Sequence, residues 1–365
     1  MRNRFIHLPM QQSGFTLIEI MVALAISALL LGGIVQVFST LKQTDKLSNA
    51  LSRIQESSRV AYDVITYDAR LTSYIGCADP IVKDGLTTKA NGAPIYNGNY
   101  VNSSLWGTDV TAAGWGTAAG LDMGSAPNPI NGTGARNARP NSDVIRFQHL
   151  STDHVFLGSN MSTSGSNIVL SSNSLGLAAG DLAVVANCNY GDLFKISSIS
   201  SSPVTVTHTA TDNNSANMTF NYTTAATVSA FISNTYFVAS TGRTNSNGDP
   251  IYGLYLRDLK GNVNEVVEGV EFMRVLYGQK LNLSTQNVRY VPASDSTLDM
   301  SQVTSIKIAF MLTSTERVLD SDDTNRYTLL DETIANTSGT TITYPNDRRL
   351  RRVVNMTIQL QNRRI

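Results

Sequence analysis

Residues 15–41 (FTLIEIMVALAISALLLGGIVQVFSTL) form a 27-residue stretch carrying one formal charge, Glu19. As a helix rising 1.5 Å per residue, such a stretch spans about 40 Å, enough to cross a hydrocarbon core of about 30 Å. The sequence therefore predicts one membrane-spanning helix. A cleaved secretory signal is the competing reading, and Ala23-Leu24-Ala25 offers it a small-residue site. The apolar core of such a signal normally runs about 7–15 residues, whereas this one continues 16 residues past Ala25. Flanking charge does not orient the span, since Arg2 and Arg4 precede it and Lys42 and Lys46 follow. An acid within such a segment is a functional residue by default, and the positive end of a helix dipole lowers its cost.

Beyond residue 41 the pattern becomes amphipathic. Leu47, Leu51, Ile54, Ala61 and Ile65 recur at helical spacing, with Arg53, Glu56 and Arg59 elsewhere on the surface, which extends one helix to about Tyr74. Gly32-Gly33 is its weak point, because each Gly costs about 1 kcal/mol relative to Ala in a helix interior. Between about Ala78 and Pro140 the chain is rich in Gly, Asn, Ser and Thr, the composition of long loops. Strand signals follow at residues 144–147, 168–170, 182–185, 193–196 and 231–238. Two strict alternations come late, Ile306/Ile308/Phe310/Leu312 and Val354/Met356/Ile358/Leu360, as in half-buried antiparallel strands. Residues 265–277 (EVVEGVEFMRVLY) fit helix or strand. The architecture expected is α+β, a long helix on an antiparallel sheet, with large insertions.

Only 15% of residues are charged, below the roughly 25% of ordinary soluble domains, and Ser, Thr, Asn and Gly fill the difference. Lys plus Arg equals Asp plus Glu at 28 each, so no global field attracts nucleic acid or an anionic membrane. Positive charge is local: the last 19 residues hold Arg348, Arg349, Arg351, Arg352, Arg363 and Arg364 against one Asp. That end reads as a strand edge guarded by arginines or a subunit contact. It reads less well as a DNA site, because no aromatic residue stands among the arginines to stack on bases. His7, His149, His154 and His208 make no metal pair at helical spacing, and Gly132-Thr133-Gly134 lacks the third glycine of a dinucleotide loop. The acidic segment from Asp320 to Asp331 departs from a calcium loop at Thr324 and Asn325 and lacks the closing Glu, so a solvated acidic loop is the better reading. No cofactor, metal or enzymatic triad is expected.

The start of the apolar run, Gly14-Phe15-Thr16-Leu17-Ile18-Glu19 behind a leader with Arg2 and Arg4, resembles the type III prepilin signal shared by type IV pilins and type II secretion pseudopilins. Further strings resemble the PilW family of minor pilins. They are Tyr74-Ile75-Gly76-Cys77, Asn187-Cys188, Tyr236-Phe237-Val238-Ala239, Val267-Glu268-Gly269-Val270-Glu271, Val288-Arg289-Tyr290-Val291 and Arg351-Arg352-Val353.

The resemblance implies a pilin-like fold: leader 1–14, membrane part of the helix 15–41, amphipathic part 42–75 and a β-rich globular domain 76–365. It implies cleavage between Gly14 and Phe15 by a prepilin peptidase, N-methylation of Phe15, and docking of Glu19 onto the Phe15 ammonium of a neighbouring subunit. Implied partners are other minor pilins, the major pilin, the inner-membrane assembly platform and a tip adhesin, with nucleic acid disfavoured. The implied location is the inner membrane with a periplasmic domain, then the pilus near its tip, in twitching motility and adhesion. An oxidising periplasm would pair Cys77 with Cys188, closing a loop that the chain-entropy model values at roughly 4–5 kcal/mol. A minor pseudopilin of type II secretion and a DNA-uptake minor pilin are the alternatives.

Overall fold

The computed structural model describes residues 14–76, 86–92, 103–110, 138–281, 287–336 and 342–363. Cys77, Gly132-Thr133-Gly134 and most of the expected loop between 78 and 140 lie outside them. One helix, α1 (Leu17–Leu71), runs unbroken through Gly32-Gly33, and the chain forms two compact units, Met1–Asn49 and Ala50–Ile365. In the first unit α1 carries a stretch long and apolar enough to cross a membrane, and its side chains, from Leu17 through Phe38 to Leu41, are exposed.

In the second unit α1 buries Ala50, Ile54, Ala61, Ile65 and Ala69. Leu47, placed on the apolar stripe by its spacing, is 39% exposed, and Leu51 is half-buried. The helix stops at Leu71, three residues before its sequence limit, because Ser73 takes a left-handed φ of 68°. There Ser73 donates its N–H to the Gln148 carbonyl, and Thr72 Oγ1 donates back to the Asp68 carbonyl.

The strands follow in chain order: β1 (Leu86–Thr88), β2 (Leu105–Asp109), β3 (Asp143–Leu150), β4 (Val155–Phe156), β5 (Ile168–Val169), β6 (Leu182–Ala186), β7 (Gly191–Lys195), β8 (Ser198–Ser201) and β9 (Val204–Thr207). Next come β10 (Thr227–Thr244), β11 (Pro250–Arg257), β12 (Val263–Glu268), β13 (Val270–Lys280), β14 (Val288–Val291), β15 (Val303–Arg317), β16 (Arg326–Leu329), β17 (Glu332–Ala335) and β18 (Arg349–Gln359). Thus β1 and β2 occupy part of the region read as loop, and the later strand signals all fall on strands. A nine-stranded sheet is organised by the 18-residue β10, which pairs with β6 and β4 at its start, β3 in its middle and β11 at its end. A four-stranded sheet has the order β14-β13-β15-β18.

The ambiguous segment 265–277 is two strands in different sheets. Gly269, at φ 86°, turns the chain from β12 into β13, and a Cβ there would sit 3.0 Å from the Thr313 carbonyl. One apolar cluster joins Ile54, Ala61, Ile65 and Ala69 of α1 to Phe147 and Tyr236 of the first sheet and to Val275, Ile308, Phe310 and Ile358 of the second. The β15 alternation expected to be half-buried is buried on both faces at its centre. Ala309 and Met311 pack under Leu329, Ile334, Ile342 and Tyr344, where the β16–β17 hairpin covers the sheet.

Where β13 has no strand on its outer side, side chains from residues 139–143 replace one. Arg139 donates to the Glu271 carbonyl (2.9 Å), Ser142 Oγ accepts from Met273 N–H (3.0 Å) and lies 3.3 Å from its carbonyl, and Asp143 accepts from Val275 N–H (2.7 Å). Buried backbone groups must find partners, and this ladder of side chains stitches the two sheets together. Asp143 is buried, which pushes its carboxyl well above the usual range against the pull of Arg274.

Close packing at this junction gives a testable position. A Cβ on Gly107 would overlap Tyr277 Oη and come within 2.8 Å of the Val144 carbonyl. Tyr277 is wholly buried, and its hydroxyl has no hydrogen-bond partner among the described residues. Gly107→Ala is expected to destabilise the fold by about 3 kcal/mol, while Tyr277→Phe is expected to be neutral or stabilising by about 1 kcal/mol, since an unsatisfied hydroxyl leaves the core. Denaturant midpoints of the two variants check the pair, and an unchanged Gly107→Ala midpoint counts against the packing described.

Candidate functional site

The head of α1 carries the first group of functional candidates. Thr16 stands at the N-cap and Glu19 three residues on. Thr16 N–H and Thr16 Oγ1 each donate to Glu19 Oε2 at 2.9 Å, and Glu19 N–H donates back to Thr16 Oγ1 at 3.3 Å. This is a capping box, in which two side chains satisfy backbone donors that the first helical turn leaves without partners. Thr16 escaped notice at the sequence level although T-x-x-E was there to be read. Gly14 and Phe15 precede the box, both exposed, and a Cβ on Gly14 would meet nothing within 4 Å. Among the described residues packing therefore does not demand a glycine at that position.

The second candidate was the basic carboxyl end, and here the structure corrects the sequence. Arg349 and Arg351 are not part of a surface patch: they are 0% and 2% exposed. They face away from the helix side of β18, under the segment that carries the β16–β17 hairpin. Arg351 Nε donates to Glu271 (2.8 Å), its two Nη atoms grip Asp347 (2.8 and 3.0 Å), and Nη1 reaches Asp323 (3.3 Å). Arg349 Nε donates to Asp347 (2.7 Å) and its Nη1 to the Pro250 carbonyl (3.1 Å). Arg139 adds a third guanidinium, 3.5 Å from Glu271 and laid on the rings of Phe272 and Tyr252. Three guanidiniums thus meet three carboxylates, and the cluster is neutral. Burial raises the Asp347 carboxyl, but Arg351 and Arg349 outweigh burial and hold it below the usual range. Arg348, 3.5 Å from Asp322, and Arg352 remain the exposed cations of residues 348–352.

The acidic segment 320–331 is tied into the same cluster. Asp323 is buried and accepts from Asn325, Tyr327 and Arg351, so its carboxylate points inward to protein donors. Among the described residues no group of three or more His, Cys, Asp and Glu side chains has a metal-holding arrangement.

A polar group that the sequence did not reveal joins α1 to the first sheet. Asp68, on the packed face of α1, accepts from Tyr236 Oη (2.6 Å) and Asn234 Nδ2 (2.8 Å) and lies 3.3 Å from His149 Nε2. Burial and the adjoining Asp68 raise the Tyr236 hydroxyl above its ordinary value. The apolar spacing gave no hint of Asp68, because a buried acid breaks the pattern by which a packed face is recognised. Cys188 sits in the β6–β7 turn, where the Asn187 side chain accepts from the N–H groups of Asn189 and Tyr190; Cys77 lies outside the described residues.

Comparison with known families matches both regions. Residues 9–35 match a family described as the prokaryotic N-terminal methylation motif, and residues 235–362 match type IV pilus-assembly protein W. No curated protein matches the chain. The second match begins within β10 and takes in the whole four-stranded sheet with its buried arginines. A methylation motif at the head of an unburied apolar helix, ahead of a sheet region similar to type IV pilus-assembly protein W, supports a PilW-like type IV minor pilin.

Proposed function

We propose that the protein helps prime pilus assembly at the inner membrane and stays at or near the filament tip. Prepilin peptidase removes residues 1–14, Phe15 becomes the N-methylated terminus, and Glu19 receives the Phe15 ammonium of a neighbour when the helix docks. The observation that carries this reading is the prepilin-type start opening an apolar helix whose side chains from Leu17 to Leu41 are exposed among the described residues. Such a surface is stable in lipid and then against other helices. The exposed Gly14, free of any packing role, supports a cleavage site there. The second unit lies on the periplasmic side, where Cys188 pairs with Cys77. Its partners are other minor pilins, the major pilin, the assembly platform and a tip adhesin.

Deletion tests the role directly. Loss of surface pili and of twitching is expected, whereas retained pili with blocked enzyme secretion would assign the chain to a type II secretion system. Processing is tested by a bulky replacement such as Gly14→Phe, for which the leader is expected to stay attached, as read by the mobility of the chain on a gel.

A further inference from the structure

A strand at the edge of a sheet presents unpaired backbone groups, and natural proteins shorten or guard such edges. The edges of this fold differ sharply in that respect. β1, β2 and β14 are three to five residues long. β12 carries Glu265 and Glu268, both held by Arg243 (2.6 and 3.1 Å). The outer side of β13 is filled by Arg139, Ser142 and Asp143. β18 is different: it is the outermost strand of its sheet, eleven residues long, and among the described residues no strand lies on its outer side.

Its register defines the groups on offer. Leu360 N–H donates to Thr304, and Gln359 pairs with Ser305. Hydrogen-bonded pairs alternate along an antiparallel ladder, so residues 352, 354, 356 and 358 bond to β15 while Val353, Asn355, Thr357 and Gln359 turn their N–H and C=O outward. Asn355, Thr357 and Gln359 are exposed. Residues 352–359 contain no proline and no lysine, and their one charge is the exposed Arg352, which has no acid beside it among the described residues.

We propose that the outer edge of β18, residues 353–359, takes an extended segment of another pilin subunit as an added strand, with a carboxylate of that segment beside Arg352. Strand addition supplies affinity through main-chain hydrogen bonds, and side chains along the edge select the partner. Charge argues against a second copy of this chain as occupant. No acidic residue occurs from 348 to 365, so a second copy paired through the same edge would leave Arg352 without a counter-charge. The proposal rests on the assembly role above.

The test uses the full chain in piliated cells. Asn355→Pro and Thr357→Pro each remove an outward N–H while leaving the bonds to β15 in place, as proline is tolerated on the solvent side of edge strands. Arg352→Glu reverses the charge without touching the backbone. Each variant is expected to accumulate and melt like the wild type while filament yield falls about tenfold or more. A photo-cross-linking residue in place of Thr357 is expected to form an adduct with another pilin subunit. Wild-type yield from the folded variants, or a Thr357 adduct only with a second copy or with nothing, overturns the proposal. If deletion abolishes pili but the Thr357 cross-linker finds no subunit, the edge proposal fails and the assembly role stands. If deletion leaves pili intact, it is the assembly role that fails, and an adduct with another pilin-type subunit still decides the edge.

Discussion

Arg351→Ala is expected to destabilise the second unit by about 3–5 kcal/mol, because removing one partner of a buried ion pair leaves the other charge without compensation. Glu271, wholly buried, would keep only Arg139 at 3.5 Å and Arg349 at 3.9 Å, and Asp347 would lose both of its hydrogen bonds to Arg351. Arg352→Ala, one residue along and exposed, is expected to change stability by less than about 0.5 kcal/mol. Denaturant midpoints of the detergent-solubilised chain separate the two, and equal midpoints would refute the burial of Arg351. Replacing Glu271 and Arg351 together by Met is expected to recover part of the loss, since apolar residues of similar volume often substitute for a buried pair. The sign of the pH dependence follows from Asp347. Its carboxyl is depressed in the folded state, so its contribution is present above the unfolded value of about 3.9 and is lost as pH falls through the lower folded value. The gap between wild type and Arg351→Ala is therefore expected to narrow below about pH 4.

The second large effect concerns Glu19, where the capping box makes a sharper experiment available than alanine alone. Glutamine at the third helical position also completes a capping box, so Glu19→Gln retains the helix start and removes the charge, whereas Glu19→Ala removes both. Both variants are expected to be cleaved after Gly14 and to be missing from sheared filaments, as read by immunoblot. Normal incorporation of Glu19→Gln would assign Glu19 to capping and end its docking role. Glu19 Oε2 already accepts two hydrogen bonds from Thr16. A docking ammonium must therefore share that carboxylate or displace Thr16, and Thr16→Val is expected to loosen the helix start while leaving the acid available.

What could be read from the chain beforehand depended on how local the signal was. The apolar run and the Gly14–Glu19 string are contiguous, and the alternations at Ile306–Leu312 and Val354–Leu360 repeat every second residue, so all appear in the sequence without knowledge of the fold. The segment 265–277 fits helix or strand, because its Val and Glu residues follow neither a clean period of two nor one of 3.6, and the deciding feature is one left-handed glycine, Gly269. Arg349 and Arg351 read as edge or contact residues from the sequence, because arginine is almost never fully buried unless paired. One partner, Asp347, is local to both, but the partners that complete the cluster are distant in sequence: Glu271 lies 80 residues from Arg351 and Asp323 lies 28 away. Asp68 was hidden for the same reason, its partners Asn234 and Tyr236 lying 166 and 168 residues downstream.

The segment between β3 and β10 has a core of its own, in which Val155, Ile168, Phe194, Ile196, Val206 and Tyr222 pack together. Its two ends are neighbours, since β3 and β10 pair directly and Ser151 N–H donates to the Ala230 carbonyl at 2.9 Å. The segment also precedes the stretch that matches type IV pilus-assembly protein W. A cassette attached at adjacent points can diverge, shrink or be exchanged while the strands that receive it keep their register. Changes in residues 152–226 can then accumulate without disturbing the four-stranded sheet that carries the buried arginines, to which this segment contributes no strand.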